Sequence, residues 1–188
     1  MAGQLVNYVF NRRVSKHLKN EIRNKQFVNY DKAKTILLLF ESNYSEKNPE
    51  TKRIIQSLTA DGKKVTAWGY VEKKNVTSPA YPEYRILNQK DLGLFHKPYE
   101  KLIQELLRQE YDLLIDISTK RFVALDYIVL HANAKCKTGM KKTDMDLYDF
   151  AVDLESHLKE NEIQLDDLEY SFLYKQILFY LKNIQTND

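Results

Sequence analysis

The chain has 188 residues, enough for one ordinary domain, and 43% of them are aliphatic or aromatic, which excludes disorder as its general state. No apolar run approaches the roughly 20 residues of a bilayer-spanning helix, so we expect no transmembrane segment. A single Cys excludes an internal disulfide framework and is typical of a cytoplasmic protein.

The net charge of +3 is unevenly distributed along the chain. Residues 1–34 contain eight Lys or Arg residues and two acidic residues, whereas residues 144–188 contain three Lys residues and eleven acidic residues. A basic amino-terminal segment can bind nucleic acid or an anionic membrane, and it can equally dock on an acidic part of its own chain. We favour intramolecular docking.

The first third of the sequence predicts a helix, a strand and a second helix. Apolar residues recur at a step of about four over residues 5–27, with basic residues between them, and predict an amphipathic helix. A continuous apolar run over residues 35–40 predicts a buried strand, and a polar loop follows at 41–49. Pro49 suits a first helical turn, and we expect that helix to end at residues 61–62, an Asp-Gly pair.

The middle of the sequence continues the alternation of strands and helices. Residues 64–71 alternate as a strand does, and a loop with two prolines is expected over residues 75–82. Residues 84–88 predict a short third strand. A helix with its apolar face at 102–107 then precedes the apolar run at 111–117, which is typical of a buried parallel strand.

The last third predicts two helices and two strands. Apolar spacing indicates a helix over residues 122–131, and a short strand is expected at 134–140. Residues 148–154 predict another strand, whose acidic residues suit the edge of a sheet. Residues 168–184 carry the apolar periodicity of a closing helix.

Together these elements predict an α/β protein. We expect a single Rossmann-like three-layer domain with a mostly parallel sheet, preceded by an amphipathic amino-terminal helix. The expected boundaries are a basic helical extension at residues 1–30 that packs on the domain, and the α/β domain itself at 31–188.

The junction between the strand at 111–117 and the helix after it is the first candidate site. Asp116 lies at the carboxyl end of the strand, where open α/β sheets bind their ligands. Ser118 or Thr119 can cap the next helix, and Lys120 and Arg121 would then lie in its first turn. Helix amino termini attract anions, so these residues predict a phosphate or carboxylate site. The alternative is an ordinary cap with solvent-facing cations.

A second group of polar residues ends the first strand. Glu41, Ser42 and Asn43 follow the apolar run directly, and they could face Asp116 and Ser118 across one crevice of the sheet. Two carboxylates there could perform acid–base chemistry or hold a divalent cation. Glu41 and Asp116 are therefore the candidate catalytic residues, and a polar strand exit without chemistry is the alternative.

Other patterns of chemistry are absent from the sequence. The five glycines are scattered, so there is neither a dinucleotide-binding fingerprint nor a P-loop, and we expect no cofactor. The four histidines are far apart, and none is spaced as a metal ligand with Cys136 or with acids, so no metal site is predicted. We expect Cys136 to point into the core.

Two stretches carry a resemblance to known families. The sequence YDLLIDI at 111–117, with ANAKCKTG at 132–139 after the intervening helix, resembles part of the amino-terminal half of bacterial heptosyltransferases, which are two-domain glycosyltransferases of the GT-B type. The whole chain is also similar to an uncharacterised family of small proteins from Bacteroidetes. The first resemblance implies a Rossmann-like half-domain. The loop at 41–49 lacks the expected glycine pattern and the donor-binding domain is missing, so no transferase activity is implied.

Three functions remain open at this point. We favour a non-catalytic binding or interaction module, which could act as a homodimer or with a protein partner. The first alternative is a minimal enzyme acting on a small anionic or sugar-phosphate-like substrate, with Ser42, Asn43, Ser118, Thr119 and Lys120 as ligand-binding residues. The weakest alternative is a nucleic-acid binder that combines the basic amino-terminal segment with a second basic cluster at Lys135, Lys137, Lys141 and Lys142.

Overall fold

All six strands of the sheet run in the same direction. The computed structural model describes residues 2–20, 23–42, 48–72 and 84–184. Its strands are β1 (Thr35–Glu41), β2 (Lys64–Tyr70), β3 (Arg85–Leu87), β4 (Tyr111–Asp116), β5 (Ala134–Met140) and β6 (Phe150–Val152). They are arranged in the order β3-β2-β1-β4-β5-β6. The chain order reverses between β1 and β4, which is the doubly wound pattern, and the predicted α/β Rossmann-like fold is confirmed.

Helices cover both faces of this sheet. They are α1 (Ala2–Lys19), α2 (Pro49–Ala60), α3 (Glu100–Leu107), α4 (Val123–His131), α5 (Glu155–Glu160) and α6 (Tyr170–Asn183). One buried cluster joins α2 and α6 to the sheet, and a second joins α1, α3 and α4 to its other face. Because both faces are covered, the central strands are apolar without interruption. In β1, Ile36, Leu38 and Phe40 point to the first cluster, and Leu37 and Leu39 to the second.

The two ends of α2 follow the local signals in the sequence. Pro49 is its first residue, and Asn48 before it lies in the left-handed region. The helix ends before Asp61, and Gly62 takes a φ of 76°, which favours glycine. The predicted start and stop of this helix are therefore confirmed.

The amino-terminal helix is shorter than the sequence suggests. The periodicity predicts residues 5–27, but α1 ends at Lys19. From Arg23 onward the described chain runs beside β5, where the Gln26 N–H donates to the Lys135 carbonyl (3.1 Å) and the Arg23 guanidinium donates to the Ala134 carbonyl (2.7 Å). These tertiary hydrogen bonds replace helical ones, and local periodicity cannot anticipate them.

Elsewhere the differences are small or concern short elements. The strand predicted at 148–154 is reduced to β6, because residues 141–149 form the tight return from β5. Helix α5 and three short 3-10 helices, Gln89–Asp91, Leu94–His96 and Leu165–Asp167, were not predicted, since each is too short to show a helical period. The loop predicted at 75–82, and residues 43–47 of the loop after β1, lie outside the described residues.

Helix α1 packs on α4. Phe10 is fully buried and meets the ring of Tyr127 edge-on at 4.7 Å, and the Arg13 guanidinium donates to the Tyr127 hydroxyl at 2.9 Å. Farther along, Arg23 forms an ion pair of 2.6 Å with Asp149, which lies in the acidic segment at residues 144–188. These contacts agree with intramolecular docking of the basic segment, and a boundary at residue 30 stays a prediction. None of the described helices is both long and apolar enough to cross a membrane.

The contact between α1 and α4 should make stability depend on pH. The ring centroid of His131 lies 4.8 Å from that of His17, and burial, with a smaller effect of His17, lowers the pKa of His131 to about 4. The unfolded chain takes up this proton near its ordinary pKa of about 6.5. Between pH 6.5 and pH 4 the unfolded state therefore binds more protons, and His131 should weaken the fold progressively as the pH falls.

The substitution His131→Phe is expected to flatten this part of the pH profile. Thermal unfolding at pH 7.5 and pH 4.5 measures it, with His157→Phe on α5 as the matched control. Equal losses of melting temperature on acidification in the wild type and in His131→Phe would contradict the assignment.

Candidate functional site

The fold places the two candidate carboxylates at the ends of adjacent strands. Strands β1 and β4 are neighbours, with Asp116 in register with Leu39 and Glu41 two residues farther along β1. The turn at residues 118–120 follows β4 immediately and lies between them. The structure therefore brings the two predicted strand exits together at the carboxyl edge of the sheet.

Asp116 is the centre of a buried network and is 1% exposed. Its Oδ1 accepts from the backbone N–H of Ser118 (2.8 Å) and from the Ser118 hydroxyl. Its Oδ2 accepts from Lys142 Nζ (2.8 Å) and from the Tyr148 hydroxyl (2.6 Å). Burial, with the Asp116 charge as the next cause, raises the pKa of Tyr148 well above its ordinary value, so the phenol keeps its proton and donates. Four donors thus occupy this carboxylate.

Glu41 is buried and holds the turn after β4. Its Oε1 accepts from the hydroxyls of Thr119 (3.1 Å) and Tyr170 (2.8 Å), and its Oε2 accepts from the backbone N–H of Lys120 (3.0 Å). Tyr170 is the first residue of α6, so this carboxylate links β1, the turn and the closing helix. All of its described hydrogen bonds are made to groups of the chain itself.

The predicted helix cap is wrong. Helix α4 begins at Val123, its N-cap is Phe122, and no side chain caps it. Ser118 and Thr119 instead donate to the two buried carboxylates, which are stronger acceptors for a hydroxyl than a neutral partner would be. Lys120 and Arg121 therefore precede the helix and do not lie in its first turn.

The remaining predicted ligand-binding residues differ in what they contact. Ser42 contacts the chain itself, since the Asn48 amide donates to its hydroxyl at 3.0 Å, and Asn43 lies outside the described residues. The Ser118 hydroxyl donates to Asp116, and the backbone N–H of Lys120 donates to Glu41. Thr119 additionally lines the open cleft beside β5 and β6.

Arg121, which the sequence places with Lys120 beside the predicted anion site, forms a partly buried ion pair. Its Nε donates to Oδ2 of Asp126 at 2.8 Å, and the Asp126 side chain is 4% exposed. Burial raises the pKa of Asp126, and the hydrogen bond from Arg121 acts in the opposite direction. Within the part of the chain that the structure describes, the buried Nη2 of Arg121 has no hydrogen-bond partner. This guanidinium can therefore bind a further acceptor.

A cleft of about 470 Å³ opens where β4, β5 and β6 end, and we call it the carboxyl-edge cleft. Its volume lies within the range of small-molecule sites. Cations, hydroxyls, acids and apolar side chains all contribute to its walls. The lining residues are Thr119, Arg121, Met140, Lys141, Lys142, Thr143, Asp144, Asp153, Leu154, Glu155, Leu158 and Leu165. Glu41 and Asp116 are not among them.

The second basic cluster predicted from the sequence is not one surface. Lys135 pairs with Asp112 at the amino end of β5 (2.8 Å). Lys137 is buried and donates to a backbone carbonyl of α4. Lys142 donates to Asp116, and Lys141 is exposed. The four lysines thus differ in burial, in partner and in position along the chain, and their ammonium groups do not form one basic surface.

The described residues give little support to a metal site or to a reactive thiol. Among the described residues there is no group of three or more side chains that could hold a metal ion. Cys136 is buried as expected, and burial raises the pKa of its thiol to about 11. A thiol in that environment is a poor nucleophile.

Sequence reasoning missed the partners that complete the two networks. Tyr148, Lys142 and Tyr170 come from segments that follow later strands, and no spacing connects them to Asp116 or Glu41. The available signal was weaker: Lys142 and Tyr148 lie in the connection between β5 and β6, which contains no helix. That connection brings both side chains back over the end of β4.

Comparison with known proteins gives one match. A family model described as a family of unknown function matches residues 7–184, which is most of the chain. No curated protein and no solved structure matches.

Proposed function

The chain belongs to a family of unknown function, DUF6913, and from this premise we propose that it is a non-catalytic binding module. It holds a small polar molecule with an anionic group in the carboxyl-edge cleft. One observation carries the proposal: an open cleft of suitable volume lies at the ligand-binding edge of the sheet, while the carboxylates beside it are already occupied.

The lining of the cleft defines the ligand class. The exposed ammonium of Lys141 and the guanidinium of Arg121 suit an anionic group. The Asp144 and Asp153 carboxylates on the same walls accept from hydroxyls, and Leu154 with its apolar neighbours suits a carbon skeleton. A sugar-phosphate-like molecule combines these three features.

Absence of catalysis is part of the proposal. A general base needs a lone pair free to accept the substrate's proton. Four described donors occupy Asp116, and three described donors, from Thr119, Lys120 and Tyr170, hold Glu41 in place. The alternative is a minimal enzyme with these carboxylates as acid and base, and it requires both networks to open.

The family resemblance, the cellular compartment and the partners are also parts of the proposal. The resemblance of residues 111–139 to the amino-terminal half of heptosyltransferases supports a Rossmann-like half-domain, and the similarity of the whole chain to uncharacterised small proteins from Bacteroidetes implies no ligand. A single buried cysteine supports the cytoplasm as its compartment. A homodimer or a protein partner remains a prediction, and nucleic acid is the weakest alternative because the lysines of the second cluster are dispersed.

A thermal-shift screen tests the binding module. Sugar phosphates, sugar nucleotides and nucleotides are added to the full chain, and a true ligand at about 100 times its Kd should raise the melting temperature by about 5–10 °C. In Lys141→Ala this shift should fall by up to about half at the same ligand concentration, because loss of the exposed cation weakens binding by up to about tenfold. The matched control is Lys101→Ala, an exposed lysine on α3 far along the chain from the cleft.

Two outcomes decide against the proposal. One is a screen in which no sugar phosphate or nucleotide changes the melting temperature. The other is an equal shift in Lys141→Ala and Lys101→Ala. Turnover of a bound compound, detected by phosphorus NMR of the same samples, would replace the binding module with the minimal enzyme.

A further inference from the structure

A second pocket lies on the other side of Arg121, and we call it the α4 pocket. It has a volume of about 310 Å³, and its walls are one face of α1, the end of β2 and the first residues of α4. Of the residues named for the carboxyl-edge cleft, it shares Arg121. The proposed function does not use this pocket.

A buried tyrosine hydroxyl in the wall of this pocket lacks a partner. Tyr70 is the last residue of β2 and is 2% exposed, and no described atom lies within hydrogen-bonding distance of its hydroxyl. Leaving such a group unpaired is costly, and most buried hydroxyls in proteins are satisfied. Burial, and then the nearby Glu72 carboxylate, raise the pKa of Tyr70 to about 12. At neutral pH the group is therefore a hydrogen-bond donor.

Two further kinds of donor border the same space. Helix α4 has nine residues and starts without a side-chain cap, so the N–H groups of Val123 and Ala124 have no acceptors within the helix. The Nη2 of Arg121 is buried and has no partner among the described residues. Tyr70, Arg121 and the first residues of α4 thus line one pocket, and among the described residues the Tyr70 hydroxyl and the Arg121 Nη2 have no acceptor.

The surrounding charges restrict that acceptor. Asp126 already pairs with Arg121, and Glu72 lies in the wall of the pocket. Asp126 offsets the guanidinium, and the exposed, water-screened carboxylate of Glu72 offsets part of the positive end of the helix. A dianion such as a phosphate monoester would be repelled, whereas one negative charge shared by two oxygens can accept from several of these donors at once.

We propose that the α4 pocket binds the carboxylate group of a small organic monoanion through the Tyr70 hydroxyl, the Arg121 guanidinium and the first N–H groups of α4. The binding shares Arg121 with the proposed function but needs neither Lys141 nor the rest of the carboxyl-edge cleft. Variants of Lys141 and of Tyr70 therefore test the two proposals separately.

Acetate is the probe, and backbone amide NMR of the full chain is the measurement. Titration should move the Val123 and Ala124 amide signals along a saturable curve. Sodium chloride at the same ionic strength should not produce this curve, and inorganic phosphate should bind more weakly than acetate. In Tyr70→Phe the Kd for acetate should rise about tenfold or more, as expected for the loss of one hydrogen bond to a charged group.

The melting temperature supplies a second readout. Without ligand, Tyr70→Phe should unfold at the same temperature as the wild type or higher, because the hydroxyl that it removes has no described partner. Tyr174→Phe is the matched control, since Tyr174 is a buried tyrosine on the opposite face of the sheet. It should leave the Kd for acetate unchanged.

Three results would overturn the proposal. Amide shifts that do not saturate, or that chloride reproduces, would mean that water alone satisfies these donors. Equal Kd values for the wild type and Tyr70→Phe would remove the hydroxyl from the site. A clear fall in the melting temperature of ligand-free Tyr70→Phe would show that the protein itself supplies the missing partner.

Discussion

Replacing Lys142 with Met should lower the free energy of unfolding by about 3–5 kcal/mol, the usual cost of breaking a buried ion pair by removing one partner. The Lys142 side chain is 6% exposed, and its ammonium donates to Asp116 and to the Ser118 hydroxyl. Without it, the buried Asp116 loses its oppositely charged partner and one of its strong donors. Chemical denaturation at pH 7 measures the loss.

The neighbouring residue provides the control. Lys141 is exposed, so Lys141→Met should change stability by less than about 0.5 kcal/mol. In the double variant Asp116→Asn with Lys142→Met, the buried charge is removed with its partner, and the total loss should be smaller than the sum of the single losses. Strict additivity of the two single substitutions would contradict a buried, coupled pair.

Gly139→Ala should cost about 2–5 kcal/mol although it adds one methyl group. A Cβ at this position of β5 would lie 2.7 Å from the Tyr148 ring and 3.2 Å from Cβ of Asp116. The ring would have to move, which combines overpacking of about 1–3 kcal/mol with loss of the hydrogen bond from Tyr148 to Asp116. Chemical denaturation again measures the change in unfolding free energy.

A second glycine separates this steric cause from a general effect of alanine. At Gly93 an added Cβ would meet its nearest neighbour, the Tyr99 ring, at 3.5 Å, which is ordinary contact, so Gly93→Ala should be nearly neutral. Truncating the ring in Gly139→Ala with Tyr148→Ser should remove the clash, so that the double variant loses less than the sum of its parts. A cost for Gly139→Ala as small as that for Gly93→Ala would refute the close packing.

The fold could be predicted because its signals are local. The uninterrupted apolar run of β1 requires a strand that is covered on both faces, and the alternation of strands with helices requires parallel pairing. Pro49 and Gly62 marked the ends of α2 for reasons of backbone geometry that need no neighbours. Helix α1 was extended too far, because its periodicity continues where hydrogen bonds to β5 take over.

The candidate site could be located but not assembled. Asp116 and Glu41 were recognised as strand exits on one edge, which follows from strand direction alone. The hydroxyls of Ser118 and Thr119 were assigned to a helix cap, because a cap is their commonest use next to a helix. These hydroxyls donate to buried carboxylates instead. Whether a carboxylate is buried depends on the whole fold and not on the local sequence.

The sequence by itself therefore determined the parallel sheet, its covered faces and the edge at which strand 111–116 ends, since each follows from the pattern of apolar and polar residues along one segment. Only the tertiary structure decided what that edge can do. The short return between β5 and β6 brings Lys142 and Tyr148 onto Asp116, and the start of α6 brings Tyr170 onto Glu41. Hydrogen-bond partners are set by distance in space, so the two carboxylates accept from side chains far along the chain, whereas the Tyr70 hydroxyl and the Arg121 Nη2 have no partner among the described residues.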